Sequence, residues 1–225
     1  MPSPPESHAG IALFGPEAPH DCRRCHRLAA FRDQQKLLEP DWFNAPVPSF
    51  GPAHGRLLIV GLAPGLKGAN RTGRPFTGDH AGELLYGTLI AFGFANGRYG
   101  ADPGDGLALS DCMISNAVRC VPPQNKPTPE EITTCRPFLA ARIAALPNLT
   151  AILALGRIAH EQTLATLGMK RSAFPFAHGA QHAVARELTL FDSFHCSRYN
   201  TQTGRLTQAM FHAVFDAIRR HLGDT

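Results

Sequence analysis

Short apolar runs, each closed by a polar or glycine-rich stretch, punctuate this chain. Residues 56–61 (RLLIVG) are aliphatic and end in glycine, the pattern of a strand buried on both faces. Comparable runs cover residues 109–116, 149–155 and 187–194. Between and after them the apolar positions recur at helical spacing: residues 81–93, the stretch after residue 128, residues 157–167 and residues 206–222. Asp79 is placed to cap the first of these helices, because its carboxylate can accept from unpaired backbone N–H groups. In TPEE, Thr128 takes the N-cap, Pro129 the first helical position and Glu131 the capping-box position. An earlier helix starts near the CxxC of CRRCHRLAAFRDQQ.

Strands that alternate with helices imply a three-layer α/β/α sandwich around a mostly parallel, four-stranded sheet. The expectation is a single domain over residues 1–225, with residues 1–20 an extended N-terminal segment. Ligands of such folds sit beyond the carboxyl ends of the strands. Three unusual segments follow those ends here: 62–79, 116–126 and 195–205.

Composition narrows the picture modestly. Apolar residues make up 44% of the 225, enough for one well-packed core. A formal net charge of +4 is compatible with a polyanionic partner without demanding one. MPSPPESHAG has neither a basic start nor an apolar stretch, so no signal peptide is expected. Nor is any apolar run long enough to span a bilayer. The expectation is a cytoplasmic monomer with no membrane contact. Its six cysteines are then poor candidates for disulfides.

Spacing groups four of the cysteines: Cys22 with Cys25, and Cys120 with Cys135. By spacing alone, four thiolates suit a zinc ion or an iron–sulfur cluster equally. Cys112, inside a strand, reads as a buried inert thiol. Cys196 follows His195, but neighbours on an extended chain point in opposite directions, which argues against a Cys–His nucleophile. The glycines of GLAPGLKGANRTGRPFTGD let backbone approach a ligand closely. Neither GxGxxG nor GxxxxGK[ST] is present, which speaks against a dinucleotide or ATP site.

GLAPG with NRTGRPFTGD, SNAVRCVPPQNKP and RYNTQTGRLT, each following a predicted strand and in this order, resemble the uracil-DNA glycosylase superfamily, specifically its fifth family or type B. The resemblance runs from the CxxC to the last motif. It implies excision of uracil, and of other deaminated or damaged bases such as hypoxanthine, xanthine and ethenocytosine, from DNA. It also implies a structural 4Fe–4S cluster on Cys22, Cys25, Cys120 and Cys135. Asn116 matches the base-reading residue, Phe76 the aromatic on which a flipped base stacks, and Gly61, Ala63 and Gly65 belong to the base-binding loop. His195 is the candidate donor to the base carbonyl, where negative charge collects on cleavage. Asp79 matches an aspartate linked to catalysis, and helix capping competes for the same carboxylate. Lys67, Arg71, Arg74 and Arg205 are candidate phosphate contacts. Arg198 and Tyr199 either fill the gap left by an extruded nucleotide or serve as ordinary surface residues.

Two departures from the family pattern stand out. Leu62 occupies the position where sister families carry a carboxylate or amide, and Cys196 replaces the usual proline. A polar-free position at Leu62 fits a looser pocket and a broader choice of bases. The competing functions are a non-catalytic iron–sulfur nucleic-acid binder on the same fold and an iron–sulfur redox protein; retention of Asp79 and His195 argues against the first.

Overall fold

The computed structural model describes residues 15–223, so most of the expected N-terminal segment lies outside the described residues. The chain first forms helix α1 (His26–Leu38) and then enters the main sheet with β1 (Leu57–Gly61). The other parallel strands are β4 (Cys112–Asn116), β5 (Ala151–Leu155) and β7 (Leu188–Ser193), preceded and interleaved by the short pair β2 (Ala95–Asn96) and β3 (Ala108–Leu109) and by β6 (Gln181–Ala185). The main sheet has the order β4-β1-β5-β7-β6, with only β6 antiparallel to its neighbour.

Alternation along β1 builds the layers. Leu57 and Ile59 face helices α3 (His80–Ala91) and α7 (Gln208–His221), packing with Leu85, Leu89, Phe211 and Phe215. Leu58 and Val60 face α4 (Pro129–Ala144) and α5 (Arg157–Thr166), packing with Leu139 and Leu164. The expected three layers are present, each face reading every second residue.

The sheet has five strands rather than four. The additional strand, β6, has only Val184 buried, so no apolar run marks it; it is an edge strand paired on one side. The run expected over 109–116 is broken at Asp111, whose φ of 56° leaves the strand region. The Asp111 side chain accepts from the Arg56 backbone N–H at 2.9 Å and pairs with its guanidinium, which holds the turn in place. Two short helices, α2 (Ala69–Thr72) and α6 (Arg198–Gln202), lie in segments expected to be loops.

The helix caps form as the sequence implies. Thr128 Oγ1 accepts from Glu131 N, while Glu131 Oε2 accepts from Thr128 N at 2.7 Å. Glu131 also takes two 2.7 Å hydrogen bonds from Arg27, which ties α4 to α1. Asp79 caps α3 by accepting from Gly82 N at 3.3 Å.

Arg74 corrects an expectation. It is buried at 4% exposure and cannot meet a phosphate. Its guanidinium forms a two-pronged pair with Asp105 at 2.8 and 2.7 Å and donates to Thr77 Oγ1 at 2.7 Å. It also lies 5.3 Å from the ring centroids of both Phe50 and Tyr86. The Arg74 contacts hold the Asp105 carboxyl well below the usual carboxylate range. Its role is to pin the loop that leads to Phe76 and Asp79. Arg74→Met should therefore cost about 3–5 kcal/mol in chemical denaturation, because it strands the Asp105 charge. The salt dependence of nucleic-acid binding should not change; a flattened slope would return Arg74 to the surface.

Candidate active site

β1 and β4 run parallel with Gly61 opposite Asn116, so the segments that follow them leave the sheet side by side. A cleft of about 390 Å³ opens there, lined by Leu62, Ala63, Gly65, Phe76, Asp79, Asn116, His195 and Arg198. Gly61, expected to touch a base, lies beneath this lining instead. A Cβ on Gly61 would sit 2.7 Å from Phe76 Cζ and would collide with Asn116 Oδ1. Glycine is needed there for space, so that the ring and the amide can rest on the strand end.

Phe76 is held in a left-handed backbone conformation, φ 52°, at a cost of about 1–3 kcal/mol. Tyr99 Oη donates to its carbonyl oxygen at 3.1 Å, and Tyr86 Oη donates to Pro75 O at 2.6 Å. These bonds and Arg74 fix the loop around the strained residue. The Phe76 ring lies 5.9 Å from the His195 imidazole at a 30° tilt, so the two rings share one side of the cleft. Asn116 is buried, and its Oδ1 finds no hydrogen-bond donor among the described residues. An orphan buried acceptor costs about 1–3 kcal/mol unless a ligand supplies the donor.

The two ionisable groups of the cleft are pushed in opposite directions. Burial raises the Asp79 carboxyl above its ordinary value, against the lowering effect of backbone N–H groups from Gly82 and Ala81. Its Oδ2 turns toward the first loop: a Cβ at Gly68 would lie 2.5 Å from it, and one at Gly65 3.1 Å. The cap uses Oδ1 alone and leaves Oδ2 facing the loop, so capping does not take up the whole carboxylate. Burial pushes His195 down to about 4, so its imidazole is neutral at neutral pH. Cys196 is fully buried and pushed up to about 12 by burial and by the nearby Asp79, which leaves it no role as a nucleophile.

Cys22, Cys25, Cys120 and Cys135 line a second, small cavity together with Leu28, Arg119 and Phe138. Arg119 N donates to Cys135 Sγ at 3.3 Å. No three of the four sulfurs approach within 4.8 Å of one another. Burial and neighbouring sulfurs push Cys25 to about 11 and Cys120 to about 12. Glu17 fastens the segment before the CxxC by pairing with Arg119, at 3.1 Å, and with Arg142. Ala63 belongs to both places: it packs against the cysteine cluster and lines the cleft. Cys112 is buried apart from them, in the layer that α3 and α7 cover.

Among the remaining expected contacts, Lys67 is exposed, and Arg71 donates to its carbonyl oxygen at 3.0 Å. Arg198 lines the cleft, Tyr199 stands 70% exposed on α6, and Arg205 lies 4.7 Å over the Phe194 ring. Sequence reasoning missed His80, Asn125 and Ser197 as lining residues. His80 follows Asp79 directly, and its Nε2 lies 3.0 Å from Thr201 Oγ1, joining α3 to α6 across the cleft. Its position beside a capping aspartate was the available signal. Asn125 enters through a left-handed turn, φ 57°, that no local pattern announces.

The fold and site define a class: a three-layer α/β protein with one polar–aromatic cleft at the carboxyl ends of its parallel strands. Residues 48–219 match the uracil DNA glycosylase superfamily model. A type-5 uracil-DNA glycosylase of Thermus thermophilus is 46% identical over 208 residues, covering 90% of this chain and 94% of the relative. The type-5 enzyme of Mycobacterium tuberculosis is 38% identical, covering 90% and 78%, and that of Pyrobaculum aerophilum 35%, covering 91% and 89%. The chain belongs to the uracil-DNA glycosylase superfamily, in its type-5 family. No helix of the described residues is long and apolar enough to cross a membrane.

The burial of His195 has a direct consequence. Its imidazole should titrate near 4 by NMR rather than near 6.5. An ordinary midpoint would mean that the ring is open to water and lacks the desolvation described here.

Proposed function

We propose that this protein hydrolyses the N-glycosidic bond of deoxyuridine in DNA. What carries the reading is the convergence in one cleft of a neutral imidazole, an unpaired amide oxygen, an aromatic face and a desolvated carboxylate. The type-5 uracil-DNA glycosylases to which the chain is similar point the same way.

The target nucleotide leaves the stack and enters the cleft, where its base lies against Phe76. Asn116 Oδ1 accepts the imide N–H of uracil, which satisfies the orphan acceptor. As the bond from C1′ to N1 breaks, its electron pair moves onto the base and positive character grows on the sugar. Neutral His195 donates to the base carbonyl that gathers this charge. Water adds to C1′ and passes a proton to Asp79 Oδ2, leaving an abasic sugar. Lys67, Arg71 and Arg205 hold phosphates, and Arg198 with Tyr199 occupies the vacated space in the duplex. Leu62 presents no polar group to the base, so hypoxanthine, xanthine and ethenocytosine are further substrates.

Cys22, Cys25, Cys120 and Cys135 would hold a 4Fe–4S cluster. All four thiols line one small, largely apolar cavity, a donor set that suits a thiolate-held iron–sulfur centre. When bound, it supplies thiolate cross-linking between the CxxC, the segment after β4 and α4, and takes no part in hydrolysis.

A duplex with a single uracil tests the reaction. His195→Ala should lower the single-turnover rate roughly 100-fold with little change in DNA affinity. Asp79→Ala should slow turnover as well as remove about 1 kcal/mol of helix-cap stability. Stability loss with normal turnover would reduce Asp79 to a cap, and a fully active His195 variant would remove the donor. For the cluster, purified protein should be brown with about four irons per chain. Cys135→Ala should lose that iron and Cys112→Ala should keep it; a colourless protein with one zinc would refute the cluster.

A further inference from the structure

Behind the cleft, three titratable groups that the hydrolysis does not use meet at the sheet–helix interface. Asp192 of β7 is fully buried. Its Oδ1 lies 2.7 Å from Nδ1 of His160 on α5, and its Oδ2 lies 3.2 Å from Nε2 of His182 on β6. The other His160 nitrogen, Nε2, lies 2.8 Å from the carbonyl oxygen of Phe174.

A carbonyl oxygen only accepts, so His160 Nε2 carries a hydrogen. In the neutral imidazole of that tautomer, Nδ1 is a bare lone pair. A lone pair facing a carboxylate oxygen at 2.7 Å is repulsive, so a cation must lie between them, either a proton or a metal ion. The distance decides. Ligand atoms on one tetrahedral zinc, with bonds of about 2.0–2.1 Å, stay about 3.3 Å apart. A separation of 2.7 Å is that of a charge-assisted hydrogen bond. The surroundings agree: Phe176 lies edge-on to His160 at 5.6 Å, Phe174 edge-on to His182 at 5.7 Å, and the Arg157 guanidinium lies 5.4 Å from the Phe176 ring. Burial also pushes the Asp192 carboxyl up, against the bonds from both histidines.

We infer that His160, Asp192 and His182 form a buried cluster with one proton shared between His160 and Asp192, and that this cluster positions His195. The second half rests on the reading of His195 as donor in the proposed hydrolysis. No side-chain hydrogen bond orients the His195 ring among the described residues, so its aim comes from the backbone that carries it. That backbone follows the end of β7, three residues beyond Asp192, and its carbonyl oxygen accepts from Asn200 Nδ2 at 2.8 Å. Outside β7 the sheet has only the edge strand β6, whose pairing slips between Ala183 and Ala185. Asp192 therefore joins α5 and β6 to the strand end through one carboxylate. Its backbone bonds to Ala180 O at 3.0 Å and Gly179 N at 2.8 Å, and Phe194 N donates to His178 Nδ1 at 3.2 Å. Loss of the central carboxylate frees this end, and a displacement of about 1 Å at a reacting group costs on the order of 100-fold in rate.

The test uses the full chain labelled with ¹⁵N at histidine. A far-downfield proton signal should couple to His160 Nδ1, and Asp192→Asn should abolish it. Asp192→Ala should lower the single-turnover rate tenfold or more, with DNA affinity within twofold and with weakened His195–Phe76 NOEs. Asp192→Asn should recover to within threefold, since its amide can donate to His160 Nδ1 and accept from His182. If Asp192→Ala does not fold, His160→Gln gives the same comparison of rate and NOEs. Absence of that signal, or stoichiometric zinc lost in His182→Ala, would overturn the shared proton. A wild-type rate and intact NOEs in Asp192→Ala would overturn the positioning. Should the wild-type chain cleave no uracil duplex, the proposed reaction fails, while the nitrogen spectrum and the NOEs still decide this cluster.

Discussion

The site depends on one pairing: β1 and β4 run parallel with Gly61 opposite Asn116. Parallel pairing sends both following segments out at the same edge of the sheet, and β7 delivers His195 to that edge as well. The missing side chain of Gly61 then gives Phe76 and Asn116 room to lie against the strand end. Any larger residue would push the ring and the amide out of the cleft together. The cleft is thus built around an absence, and its geometry follows from backbone register before any side chain acts.

Burial does the electrostatic work. Asp79 and His195 share one cleft, yet desolvation raises one and lowers the other, because each is displaced toward its neutral form. The imidazole responds fully because little opposes its desolvation. The carboxylate is restrained by the backbone N–H groups at the start of α3. Two groups that would be oppositely charged in water at mildly acidic pH are both biased toward neutrality, and the proposed hydrolysis would use the imidazole as donor and the carboxylate as base.

Ion pairs, one of them fully buried, set the loops that complete the site. Arg74 and Asp105 hold the Phe76 turn, Glu17 with Arg119 and Arg142 holds the segment before the CxxC, and Arg27 with Glu131 joins α1 to α4. Each joins segments far apart in the chain, where hydrophobic packing alone would leave the loop free to slide. Ala63, packed on the cysteine cluster and exposed to the cleft, makes that tethered region part of the cleft wall.

By itself the sequence determined what depends on local order: the buried strands through their apolar runs, the α4 capping box, the Asp79 cap, and three loop motifs placed after three strand ends. It also specified the chemistry available in those loops, because residue types do not change on folding. The edge strand β6 was not legible, since a strand exposed along most of its length needs no apolar run. Arg74 and Arg71, three residues apart in one loop, read alike as surface cations, and only the folded chain put Asp105 and three aromatic rings around one of them. The turn of Asp79 Oδ2 toward the first loop and the meeting of His160, His182 and Asp192 were likewise decided by tertiary structure. Hydrogen-bond partners and solvent access are properties of distances between segments, and no local pattern of residues encodes them.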